Sequence, residues 1–75
     1  MITLRWDEYC YYSPEYDMEV CRLMAITNKG TWYTDVDANE GLMANRKAFK
    51  ERALELIGQG EEPDYIDLEE QHEEG

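Results

Sequence analysis

One stretch of this chain carries the clearest apolar stripe at helical spacing, and a helix can bury such a stripe only against another element. From residue 42 to residue 58, Leu42, Phe49, Ala53, Leu56 and Ile57 share one side, while Lys47, Lys50, Glu51 and Glu55 turn away from it. Asp37 or Asn39 is placed to cap the start, Gly58 or Gly60 to end it, and Pro63 lies past the stop. At 75 residues the chain has room for a single domain. The partner of the stripe must therefore come from the residues before it.

Those residues have strand character. Ile2, Leu4, Trp6, Cys10 and Tyr12 alternate with Thr3, Arg5, Asp7, Tyr9 and Tyr11, the pattern of a half-buried strand. Ser13-Pro14-Glu15-Tyr16-Asp17 is turn chemistry. Residues 20–27 and 31–36 are rich in strand formers, and Asn28-Lys29-Gly30 between them suits a tight hairpin. A rival exists for residues 14–28: Ser13 as N-cap, Pro14 next, then Tyr16, Val20, Leu23 and Met24 at helical spacing. The hairpin signal is the more specific one. The expected fold is α+β: a three-stranded antiparallel meander with one C-terminal helix packed on one face, residues 1–60, then an acidic, flexible tail, 61–75.

Pairing the first two strands so that residue numbers sum to 30 sets Leu4 against Ile26, Trp6 against Met24 and Glu8 against Arg22. The second hairpin, summing to 58, then brings Trp32 beside Ile26. One face collects Leu4, Trp6, Val20, Met24, Ile26 and Trp32 for the helix to cover. A sum of 31 would set Trp6 against Ala25, Glu8 against Leu23 and Cys10 against Cys21, a poorer set. The preferred register separates the two cysteines, so free thiols in a reducing compartment are expected. Met18, Met24 and Met43 are expected to fill the core.

The formal net charge is −11 and is unevenly spread. Residues 61–75 carry eight acids and no Lys or Arg; residues 42–60 are net +2 and residues 1–41 net −5. Such a balance disfavours direct contact with nucleic acid or an anionic membrane. The rival nucleic-acid surface would be Arg46, Lys47, Lys50 and Arg52. No apolar run approaches the roughly 20 residues of a membrane span, and no signal-type leader is expected. A cytoplasmic location fits these features.

Motifs for chemistry are sparse. The single His, His72, sits in the acidic tail, so no nucleophile–base pair can be assembled. Asp35-Val-Asp37-Ala-Asn39 begins like a calcium loop, but the glycine falls late, at Gly41, and Arg46 stands where a bidentate Glu belongs. No enzymatic activity, cofactor or metal is expected.

The outer sheet face would carry Arg5, Asp7, Tyr9, Tyr11, Glu19, Cys21, Leu23, Ala25, Tyr33 and Asp35. Tyrosines among carboxylates suit a protein interface. By size, charge and lack of catalytic residues, the chain resembles the small acidic proteins of phages and mobile elements. That implies an inhibitor of a host nucleic-acid-binding machine, of the anti-CRISPR or DNA-mimic type. Expected contacts to a basic protein surface are Asp7, Glu8, Glu15, Asp17, Glu19, Asp35, Asp37 and Glu40, anchored by Tyr9, Tyr11, Tyr16 and Tyr33. A homodimer, or an assembly protein using the tyrosine face on itself, is the alternative.

Overall fold

A computed structural model gives the arrangement and describes residues 3–68. Strands β1 (Leu4–Ser13), β2 (Met18–Thr27) and β3 (Gly30–Asp37) form one antiparallel sheet in chain order, followed by helix α1 (Leu42–Gly58). This is the expected α+β meander. The segment with rival helical character is turn and strand. The Ser13 hydroxyl does accept the Tyr16 N–H, at 3.4 Å, as a helix cap would, but Asp17 takes a positive φ of 55° and its N–H closes the turn on the Ser13 carbonyl at 2.8 Å.

The two turns set the register, and it differs by one residue from the expected pairing. Trp6 lies opposite Ala25 and Cys10 opposite Cys21, and Ala25 in turn faces Trp32. Side chains alternate with a period of two, so this slip turns β2 over while β1 and β3 keep their expected sides. Cys21, Leu23 and Ala25 are buried, whereas Arg22, Met24 and Ile26 lie on the outer face. The reason is visible at both turns. Asn28 and Lys29 alone connect β2 to β3, with Thr27 opposite Gly30. The Thr27 hydroxyl fastens that turn, donating to the Gly30 carbonyl (2.8 Å) and accepting the Lys29 N–H (3.0 Å). Gly30 has φ 136°, and a Cβ there would stand 2.9 Å from Pro63 Cγ. The gain from apolar cross-strand pairs, under about 1 kcal/mol each, does not outweigh turns fixed in this way.

The overturned strand corrects the expectation of free thiols. Cys10 and Cys21 face each other and form a disulfide, with Cα atoms 4.0 Å apart. It also removes Cys21, Leu23 and Ala25 from the expected outer face and puts Arg22 there.

Helix α1 crosses β2 and β3. Phe49 and Ala53 are buried in the core with Leu23, Ala25, Trp32 and Val36, and Leu42, Leu56 and Ile57 pack around them, as the stripe implies. Trp6 meets Phe49 edge-on, ring centroids 6.2 Å apart. The cap differs from expectation: Gly41 occupies the N-cap without a side-chain bond, and Asp37 instead accepts the Asn39 N–H at 2.7 Å within the connection. Met43 is 79% exposed, so it is no core filler, and Met18 and Met24 lie half-buried on the outer side of β2.

At the far end, Gly60 takes φ 75° and its N–H meets the Ile57 carbonyl, while the Glu61 N–H meets that of Leu56, both at 3.1 Å. This Schellman turn sends the chain back to the sheet. The Tyr33 N–H donates to the Asp64 carbonyl (3.3 Å) and the Ile66 N–H to the Tyr33 carbonyl (2.8 Å), a short parallel bridge on the edge of β3. Ile66 and Leu68 enter the core. A domain boundary at residue 60 thus falls inside the packed unit, and of the expected tail, residues 61–68 are built into it. Residues 69–75, including His72, lie outside the described residues.

Two expectations follow for urea unfolding. Ile66→Ala costs about 2–5 kcal/mol, the range for truncating a buried aliphatic, whereas Glu61→Ala changes stability by less than about 0.5 kcal/mol. The double variant Cys10→Ser/Cys21→Ser loses about 2–4 kcal/mol relative to the oxidised chain.

Candidate protein-docking face

The outer side of the sheet is built from alternate residues of three strands. Tyr9 and Tyr11 come from β1, Arg22 from β2, Tyr33 and Asp35 from β3, and the returning segment adds Tyr65 at the edge. Arg22 is the centre. Its guanidinium grips Asp35 in a fork, Nε to Oδ1 at 2.8 Å and Nη2 to Oδ2 at 3.0 Å. It also stacks over the Tyr33 ring at 4.6 Å and lies 5.9 Å from that of Tyr11. Tyr9 packs on Tyr11 and Tyr65 on Tyr33, at centroid distances of 5.9 and 5.4 Å. The result is a band of four phenol rings around one ion pair. No described element covers it, and Tyr9 and Tyr65 remain 49% and 45% exposed.

The surroundings hold two phenols of this band, Tyr11 and Tyr65, protonated. The hydrogen bonds to Asp35 raise the Arg22 pKa, so its charge is permanent. Burial, and then the Asp35 charge, raise the Tyr11 phenol, whose hydroxyl donates to Asp35 Oδ2 at 3.4 Å. Burial likewise raises Tyr65. At neutral pH Tyr11 and Tyr65 are therefore hydrogen-bond donors. Farther along, Asp7 pairs with Arg5 at 3.6 Å and accepts the Glu8 N–H at 2.9 Å.

Five acids are gathered elsewhere, at the end of the sheet where the first turn meets the connection to α1. The Ala38 N–H donates to the Glu19 carbonyl at 3.2 Å, which joins the two segments. Glu15, Asp17, Glu19, Asp37 and Glu40 thereby share one end, and neither residues 12–20 nor residues 37–45 contain a Lys or Arg. Glu15, Glu19 and Glu40 are exposed and have no ion-pair partner among the described residues. Tyr12 donates to the Asp17 carboxylate, which raises the Tyr12 pKa. A cleft of about 820 Å³ links this end to the tyrosine band, with Tyr16, Met18, Val20, Asp35, Asp37 and Tyr65 on its walls.

Of the residues expected to form the site, Tyr9, Tyr11, Tyr33 and Asp35 are brought together on the face. Glu15, Tyr16, Asp17, Glu19, Asp37 and Glu40 collect at its acidic end, and Asp7 lies at the opposite end. Glu8 is not brought there: it points to the helix side, where Arg46 holds both its oxygens, at 2.9 and 2.7 Å. Arg22 and Tyr65 belong to the face although the sequence reading left both out of the site. Assigning Arg22 required the β2 register. Tyr65 was signalled only by the spacing of Ile66 and Leu68 after Pro63.

The basic helix residues are engaged as well. Arg46 holds Glu8, Lys47 pairs with Glu51 at 2.7 Å, Arg52 pairs with Glu55 at 3.0 Å, and Lys50 lies 5.5 Å from the Trp6 ring centre. Asp35 and Asp37, the first acids of the calcium-like run, are committed to Arg22 and to the Asn39 N–H. No described helix is long and apolar enough to cross a membrane. No protein-family model, curated protein or solved structure matches the chain.

The Glu8–Arg46 pair gives a pH signature. The hydrogen bond from Arg46 lowers the Glu8 pKa in the folded state. Its contribution is therefore complete above the unfolded-state value and is lost as pH falls through the lower folded value. Glu8→Gln should weaken the fold at about pH 6 and cost progressively less towards about pH 3, as read by urea midpoints across that range.

Proposed function

We propose that this chain is a small non-enzymatic binding protein that docks on a basic protein surface through its tyrosine band and acidic end. The concrete form is an inhibitor, phage- or mobile-element-encoded, that occupies the surface a host nucleic-acid-binding machine offers to phosphates, in the anti-CRISPR or DNA-mimic manner. One observation carries the reading: an uncovered band of four packed tyrosines adjoins, through an open cleft, a group of acids of which Glu15, Glu19 and Glu40 have no ion-pair partner among the described residues.

The two parts have separate roles. Tyrosines offer large contact area with few rotatable bonds. Unpaired carboxylates at Glu15, Glu19 and Glu40 steer a cationic partner and take the place of phosphates against Arg and Lys. Glu8, and the acids already paired with Arg5 or Arg22, contribute less to such a contact than their charge suggests. In the cytoplasm the Cys10–Cys21 bond would meet a reducing pool. Neither cysteine lies on the tyrosine face.

The test compares the immobilised full chain with Glu15→Gln/Glu19→Gln/Glu40→Gln in capture from bacterial lysate, read by mass spectrometry. Nucleic-acid-binding proteins should be retained by the wild type, displaced by added duplex DNA, and lost from the triple variant. If the wild type retains none at low salt, or if duplex DNA fails to displace those it retains, the inhibitor reading is abandoned.

A further inference from the structure

The two edges of the sheet are treated differently. Tyr33 on β3 has both its outward N–H and its carbonyl satisfied by residues 64 and 66. On the other side, no described residue pairs with the outward edge of β1. That strand is ten residues long and contains no proline and no lysine, two of the devices that blunt exposed edges.

The pairing pattern shows which groups face outward. Antiparallel strands alternate between hydrogen-bonded and closer, non-bonded pairs. Cys10 and Cys21, with Cα atoms 4.0 Å apart, are a close pair, so the odd residues of β1 bond to β2. The N–H and C=O groups of Leu4, Trp6, Glu8, Cys10 and Tyr12 therefore point to the open edge. Trp6 is only half-buried at that edge, since α1 crosses β2 and β3, and Tyr12 is 58% exposed.

We propose that this edge pairs with the same edge of a second copy, antiparallel about a two-fold axis through Tyr9. The sequence of β1 is self-complementary in that register. Residues 5–13 of one copy meet residues 13–5 of the other. Trp6 then lies beside Tyr12 of the second copy on the helix side, twice over. On the outer side Asp7 lies beside the Tyr11 phenol, Arg5 beside Ser13, and Tyr9 beside its own symmetry mate. Glu8 lies beside Cys10.

The neighbouring symmetric registers are worse. One centred on Glu8 opposes two Glu8 carboxylates, and one centred on Asp7 opposes two Asp7 carboxylates. Registers centred on Trp6 or Cys10 avoid like charges but pair a shorter stretch of strand. The product is a six-stranded sheet with both helices on one side and two tyrosine bands continuous on the other. An isologous contact of this kind closes on itself, so assembly stops at two copies.

Sedimentation equilibrium of the full oxidised chain at about 100 μM, a concentration that reveals even weak pairing, provides the first readout. The expected mass is twice that of the 8.9 kDa chain, with association strengthening as salt screens the −11 charge of each copy. Tyr12→Pro removes an outward N–H that the β1–β2 ladder does not use, and should weaken association at least about tenfold. Tyr33→Ala, away from the edge, should leave it unchanged. Tyr9→Cys should form an intermolecular disulfide on mild oxidation, because the axis brings the two copies of residue 9 to a close-pair distance. A monomer at every concentration overturns the proposal, as does a dimer that Tyr12→Pro leaves intact. If Tyr12→Pro does not fold, the Tyr9→Cys cross-link decides, and its absence within a dimer overturns the proposed register.

Discussion

The side to which β2 turns governs the rest of the molecule. With Cys21, Leu23 and Ala25 inward, the helix finds a floor of Leu23 and Ala25 for Phe49 and Ala53, and Ala25 is small enough for close approach. The same orientation sends Arg22 outward to Asp35 and among the rings of Tyr11 and Tyr33. It also brings Cys10 and Cys21 into bonding range. Core, cross-link and tyrosine face are three results of one alternation. A one-residue slip would lose all three, which makes the register strongly specified.

Much of this was legible in the residues themselves. The stripe from Leu42 to Ile57, the two turns, and the alternation in β1 and β3 each follow from local patterns of one element. The β2 register was not legible, because Val20–Thr27 is apolar on both sides. Cys21, Leu23 and Ala25 serve a core as well as Val20, Met24 and Ile26 do, so pairing preferences of a few tenths of a kcal/mol decided the expectation. Turn geometry and the Arg22–Asp35 pair decide the structure. The site followed the same division. Tyrosines on β1 and β3 were placed correctly on the face, whereas Arg22 was not, because it depends on β2. Tyr65 was hidden by the charge of its surroundings, since a run of acids masks two buried aliphatics, Ile66 and Leu68, spaced one residue apart.

The headline acidity also changes meaning once partners are assigned. Glu8, Asp35, Glu51 and Glu55 face guanidinium or ammonium groups, so their charge is compensated within the fold. What the outer side of the sheet presents is an aromatic band with Glu15, Glu19 and Glu40 exposed beyond one end. Binding through such a surface would be oriented: the acids set direction and the rings set contact area.

The return of residues 61–68 also shapes the order in which this protein assembles. The two hairpins are local and of the kind that close within microseconds, whereas the bridge from Tyr33 to Tyr65 must wait for the whole intervening helix to find its place. Ile66 and Leu68 are thus among the last residues to be buried, and until they arrive the sheet has no sealed edge. Before closure both edges are exposed to strand-to-strand aggregation; Pro63 seated against Gly30 latches the β3 side and leaves β1 as the open edge.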